Sequence, residues 1–257
     1  MSAPKPPVFQ TVATAYGDVG RVIHAMPVLV GSTIAILMAF NLASLFLLPS
    51  TSRGNLVSLD DLILLAGGAV QSFLVTPFLI AVHRFILLQQ VAAGYSLAPT
   101  EPRFLRFFGW SVAITALSMA PAAVQSWLTA LGFHEAVGGI LSLVLVVLCV
   151  FLTFRLTILF PAIAVDATGA TAANAYADSK GCVWRIFIIF ALAVFPFVVL
   201  AVALFFLGLI SIPKDTGPLG IAGQIITAIV GVPAYALFVA IASRLFLALG
   251  DRLNRPD

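Results

Sequence analysis

Six long apolar runs dominate the sequence: about Pro27 to Leu48, Leu62 to Val82, Phe108 to Leu131, Gly138 to Phe154, Val183 to Ile212 and Leu219 to Leu249. Each reaches or approaches the roughly 20 residues that cross about 30 Å of hydrocarbon at about 1.5 Å per helical residue. Their continuity selects helices, because a membrane barrel would show segments of about ten residues with alternating character. Composition agrees. Of 257 residues, 61% are hydrophobic and 9% charged, whereas about a quarter of a soluble domain is charged. The expected fold class is therefore all-α: a polytopic membrane helix bundle of six transmembrane helices.

Orientation follows from lysine and arginine. With the N-terminus in the cytoplasm, Lys5, Arg21, Arg84, Arg103, Arg106, Arg155, Lys180, Arg185, Arg244, Arg252 and Arg255 fall inside, eleven of 13, leaving Arg53 and Lys214 outside. Positive-inside bias then puts both termini in the cytoplasm. The net charge of +3 is thereby explained by span flanks, with no nucleic acid required. The first 20 residues lack a short apolar core before a small-residue cleavage site, so no removable signal peptide is expected. Cys149 and Cys182 have neither metal nor redox spacing and are read as free thiols. The expected organisation is a cytoplasmic segment over 1–26, a six-helix domain over 27–249 and a cytoplasmic tail over 250–257. The polar stretches are too short for a folded soluble domain.

Before the first span, Phe9, Val12, Tyr16, Val19, Ile23 and Met26 recur at intervals of three and four, with Gln10, Thr14, Asp18 and Arg21 elsewhere. This periodicity predicts an amphipathic helix in the membrane interface, serving as a lead-in to the first span or as a lipid-sensing or docking element.

The even-numbered spans share a feature. Aligned, they read AVHRFILLQQ around Arg84, LTFRLTILFP around Arg155 and IASRLFLALG around Arg244. From Arg84 to Trp110 is 26 residues and from Arg155 to Trp184 is 29, which suggests three helical hairpins of about 70 to 90 residues. Gly138 to Phe154 is 17 residues, about 26 Å of helix, so Arg155 reaches the inner boundary. The run Leu156 to Val165 then needs cover from the interface or from neighbouring helix ends. Two readings follow. The arginines are independent topology anchors touching anionic headgroups nonspecifically, or they converge on a vestibule that binds an anionic lipid headgroup, phosphate or carboxylate through their bidentate geometry.

Pro77, Pro121, Pro196 and Pro233 interrupt spans, either as kinks or as breaks that line a site, as in transporters. Asn41, Gln71, Gln125 and Gln224 are expected to bond between helices. No acidic residue lies securely within a span, which argues against a carboxylate relay. His24, His83 and His134 are dispersed, and no hydrolase, phosphate-loop or metal motif appears, so no enzyme, catalytic residue, metal or cofactor is expected. No two glycines stand four apart, so the sequence carries no GxxxG dimer signal. A homo-oligomer or a membrane-complex partner stays open.

RLTILFPAIAVD followed by AYADSKGCVWRIF resembles a pattern in small bacterial inner-membrane proteins similar to the membrane region attached to some glycerophosphodiester phosphodiesterases. There an arginine precedes a Pro-Ala pair, a Ser/Lys/Gly turn follows, and a tryptophan opens the next span. The matching positions are Arg155, Pro161, Ala162, Ser179, Lys180, Gly181 and Trp184. The resemblance covers about 40 residues and implies a helical inner-membrane protein working on lipids or the envelope. The phosphodiesterase domain is missing, so that activity is not implied. The sequence as a whole points to a membrane-homeostasis factor or a scaffold subunit of a larger assembly, in contact with membrane lipids. The alternative is a transporter or channel for a small anionic or lipidic solute with Arg84, Arg155 and Arg244 as a cytoplasmic ring.

Overall fold

A computed structural model describes residues 6–47, 59–206 and 217–254. Their order is α1 (Val8–Ala25), α2 (Pro27–Leu47), α3 (Leu59–Leu88), α4 (Pro102–Ala130), α5 (Glu135–Leu156), α6 (Leu159–Ala164), α7 (Ala172–Asp178), α8 (Val183–Phe206) and α9 (Pro218–Leu249), with no strand among the described residues. Six helical stretches, Pro27–Phe46, Leu62–Leu88, Pro102–Ala130, Glu135–Ala164, Val183–Phe206 and Gly220–Leu249, are long and apolar enough to cross a bilayer. The chain is thus a multi-pass, all-α integral membrane protein. Lys5, Arg53, Lys214, Arg255 and the end of the fifth apolar run lie outside the described residues.

The helices run past their apolar runs at one end. α3 continues beyond Val82 to Leu88, and α4 begins at Pro102, six residues before Phe108. Arginine is a good helix former, and proline is preorganised for the first helical turn, so neither residue stops the helix where hydropathy falls. Arg84, Arg103 and Arg106 accordingly stand on helices, and with Arg155, Arg185 and Arg244 they define a basic end of the bundle. Pro77, Pro121, Pro196 and Pro233 all sit inside continuous helices, so none of them breaks its span.

α9 is the central helix and packs against α1, α2, α3, α6 and α8. Its buried face includes Val232, Ala236, Leu237, Ala240, Ile241, Leu245 and Leu249. Burial is concentrated toward the basic end. By contrast Ile140, Leu143, Val147 and Leu148 of α5, and Val198, Val199, Val202 and Phe206 of α8, are exposed and form lipid-facing surface. α9 stops at Gly250, where a Cβ would stand 2.7 Å from the carbonyl oxygen of Phe246 and 2.8 Å from its ring. Only a residue without a side chain fits there.

The run after Arg155 takes its cover from protein. Leu159, Pro161, Ala162, Ile163 and Ala164 of α6 are all buried, packed against α3, α4 and α9. Phe160 meets Phe107 with ring centroids 4.9 Å apart. α6 therefore closes the space between span ends instead of lying on the membrane.

α1 forms where the periodicity placed it, but with a different face inward. Thr11, Val12, Ala15, Asp18 and Val22 are buried, against α8 and α9, while Phe9 is 78% exposed and Ile23 40%. The predicted apolar stripe is partly an outer face because a small-residue surface with one carboxylate packs closer to α9 than bulky rings can.

Candidate functional site

Each of the three aligned arginines ends a span and holds a segment that does not cross. Arg244, on α9, grips α1. Its Nε donates to Asp18 Oδ2 at 2.7 Å and its Nη2 to Asp18 Oδ1 at 2.8 Å, a two-pronged charge-assisted pair. Asp18 is 1% exposed and also receives Arg21 Nη2 from one turn on. Burial opposes ionisation of this carboxyl, but the hydrogen bonds and charges of Arg244 and Arg21 outweigh it and hold its pKa below the usual value. Tyr16 donates its hydroxyl to the Ala193 carbonyl at 2.7 Å, and Arg185 Nη1 reaches the Pro6 carbonyl at 3.3 Å, completing the attachment of α1 to α8.

Arg155, at the end of α5, holds α7. Its Nη2 donates to the Tyr176 carbonyl at 2.6 Å and its Nε to Ser179 Oγ at 3.2 Å. The guanidinium lies over the Tyr176 ring, 3.5 Å from its centroid, and 5.6 Å from that of Phe151. It is 6% exposed. Thr171 caps α7, accepting from Asn174 N, so the bound element has a fixed start.

Arg84, on α3, holds the turn after α6. Its Nη1 donates to the Ala164 carbonyl at 3.1 Å and lies 3.7 Å from Asp166 Oδ2, while its Nε donates to Gln90 Oε1 at 2.8 Å. Arg103 shares the carboxylate, with Nη2 2.8 Å from Asp166 Oδ2. Arg106 Nη2 donates to the Ala170 carbonyl at 2.8 Å. Beside Arg84 two residues that follow a helix end are in left-handed backbone: Gln89, next to the acceptor Gln90, has φ 57° and the acceptor Asp166 φ 54°. The next amide in each case bonds back into the helix, Gln90 N to Arg84 O six residues back at 3.4 Å and Ala167 N to Ala162 O five residues back at 2.9 Å, the second being the pattern that usually ends on glycine.

The C-terminal residues join this layer. Asp178 accepts from the amides of Arg252 and Leu253 at 2.9 and 3.1 Å, and Gly169 N donates to the Leu253 carbonyl at 3.2 Å. Leu253 is fully buried. Burial raises the Asp178 pKa, against the two amide hydrogen bonds that lower it. Between α3 and α9, His83 Nδ1 lies 2.8 Å from Ser243 Oγ, both side chains buried, so the residues just before Arg84 and Arg244 pair across the two helices.

Among the described residues, no hydrogen bond or ion pair joins Arg84, Arg155 and Arg244 to a common acceptor; each has its own. The sequence reading named the arginines and missed Asp18, Asp166, Asp178 and Tyr176. The signal for Asp18 was a carboxylate inside an otherwise small-residue stripe at 11, 15, 18 and 22. The other three had none, because the pairings join positions tens of residues apart.

Beside Arg84 lies a cleft of about 270 Å³. The segment 89–101 runs back from the end of α3, with Tyr95 Oη donating to the Leu74 carbonyl at 2.7 Å and Ala92 N approaching Met26 Sδ at 3.4 Å. This strap encloses a space whose walls are Leu29 of α2, Pro77, Ile80 and Ala81 of α3, Phe104 of α4, and its own residues Val91, Ala92 and Gly94. Arg84, Gln90, Ser96 and Glu101 supply the polar groups. The arrangement offers a charged mouth above an apolar interior. Neither a family model, nor a curated protein, nor a solved structure matches the chain, so geometry carries the functional argument.

Proposed function

We propose that this chain is a non-catalytic bacterial inner-membrane protein, both termini cytoplasmic, acting as a membrane-homeostasis factor or as a scaffold subunit of a larger membrane assembly. One observation carries the reading: the basic end spends Arg84, Arg155 and Arg244 on internal acceptors, tying the turn after α6, α7 and α1 into one layer across the span ends. A guanidinium already held by two protein oxygens is a structural clamp, and a rigid layer of clamped segments is a docking plate. The positive flanks favour the cytoplasm for that layer. Exposed Lys180 and Arg252 at its surface suit anionic headgroups. The resemblance of the segment around Arg155 and Trp184 to the membrane region of glycerophosphodiester phosphodiesterases favours a role with envelope lipids.

The test is flux in reconstituted vesicles. Proteoliposomes loaded with inorganic phosphate should lose it no faster than protein-free vesicles, and Arg155→Gln should lower thermal stability without altering the leak. Protein-dependent efflux that disappears on changing Arg84, Arg155 or Arg244 to Gln would overturn the scaffold reading in favour of anion transport.

A further inference from the structure

The cleft under the 89–101 strap has chemistry that the clamps leave over: Arg84 spends Nε on Gln90 and Nη1 on Ala164, and its Nη2 makes no hydrogen bond among the described residues. Glu101 lines it, is exposed, and makes no side-chain hydrogen bond or ion pair among the described residues. Arg84 lines the same cleft and is 23% exposed in its side chain. The two opposite charges face one space, yet no ion pair joins them. A ligand carrying both signs can bridge such a gap, its anion on the guanidinium and its cation on the carboxylate, whereas a purely anionic ligand meets Glu101 with repulsion.

The walls indicate what the rest of that ligand is. Pro77 precedes Arg84 by seven residues on one helix, about 10 Å deeper from the basic end, and with Leu29, Ile80 and Phe104 it makes the interior apolar. Charges at the rim and apolar groups below reproduce the headgroup-to-chain order of a phospholipid. At about 270 Å³ the cleft is slightly smaller than the roughly 300 Å³ that begins to enclose a whole drug-sized molecule. It therefore fits a headgroup with the first part of its chains, the remainder staying in the bilayer.

We infer that this cleft binds a zwitterionic phospholipid whose headgroup carries a primary ammonium beside the phosphate, with Arg84 on the phosphate and Glu101 on the ammonium. A primary ammonium offers three donors to a carboxylate, which a quaternary ammonium lacks. The site stands independently of the scaffold reading, since a clamped layer without this lipid is still a layer.

The full-length protein in nanodiscs of equal parts phosphatidylethanolamine, phosphatidylcholine and phosphatidylglycerol, released into native mass spectrometry, tests the assignment. Retained adducts should be enriched in phosphatidylethanolamine. Glu101→Gln should reduce that enrichment about tenfold, the equivalent of about 1.4 kcal/mol. Ala81→Leu, which fills the apolar wall and leaves the bonds of Arg84 in place, should lower retention of all three lipids while phosphate efflux stays unchanged. Preference for phosphatidylglycerol, or enrichment untouched by both substitutions, would overturn the inference. Soluble phosphoethanolamine should bind far more weakly than the lipid; equal affinity would assign the cleft to a water-soluble ester and overturn the lipid.

Discussion

Arg155 shows why one residue type recurs at three span ends. A guanidinium presents donors in a plane, so it can bond the Tyr176 carbonyl and Ser179 while stacking on the Tyr176 ring. Lysine keeps the charge and loses the fork and the stack. Arg155→Lys is expected to cost about 1–2 kcal/mol and Arg155→Leu about 2–4 kcal/mol, from the lost charge-assisted bonds and cation–π contact at a buried site. Thermal unfolding in a mild detergent measures both, and equal values would deny the geometric argument. Asp18 is the complementary case, a buried carboxylate between Arg244 and Arg21. Asp18→Asn should cost about 1–3 kcal/mol, less than the about 3–5 kcal/mol for a wholly buried pair, because solvent reaches Arg244 and screens it. Since the folded carboxyl titrates below its unfolded value of about 3.9, its stabilisation is complete above that value and is lost as pH falls through the lower folded pKa. A spin label on exposed Gln10 should keep constant mobility from pH 8 to about 5 and loosen only in acid below about 3.9. Loosening between pH 5 and 8 would contradict the pairing.

At the scale of elements, the structure is decided by how helices end. α3 stops without glycine, at Gln89 in left-handed backbone, and the strap turns back there toward Leu74. Gln89→Gly should leave stability within about 0.5 kcal/mol, because relief of the left-handed cost is offset by chain entropy, whereas Gln89→Val should lose about 1–2 kcal/mol. Thermal midpoints of the two variants provide the comparison, and identical midpoints would mean that the strap does not depend on this turn. α1 illustrates a second point. Its periodicity was legible in the sequence, but a stripe of large apolar residues and a stripe of small ones both satisfy a helical repeat. Which one turns inward depends on the neighbour, and here α9 supplies an arginine that only the Asp18 side can meet.

For the whole molecule, an even number of crossings sets where the ends lie. In cells, cysteines introduced at exposed Gln10 and Asn254 should both resist a membrane-impermeant maleimide added from outside, and one at exposed Phe133 in the α4–α5 turn should react. The native Cys149 and Cys182 are buried and should contribute little background. Reaction at only one terminus would overturn the topology. Gly250→Ala tests the tie between α9 and the rim. Its Cβ would clash with the Phe246 carbonyl, so the turn leading to buried Leu253 must shift, and a loss of about 1–3 kcal/mol is expected in the same unfolding assay.

Apolar run length and the positions of lysine and arginine, by themselves, determined the helical class, the six spans and the residues that stand at the basic end, because hydrocarbon penalises unpaired backbone and charge locally, residue by residue. Tertiary structure alone decided what Arg84, Arg155 and Arg244 hold, that α6 is buried, and that the 89–101 strap encloses a cleft. Those outcomes rest on contacts such as Asp18 with Arg244, 226 positions apart. No local propensity encodes such a meeting; it exists only once the helices have packed.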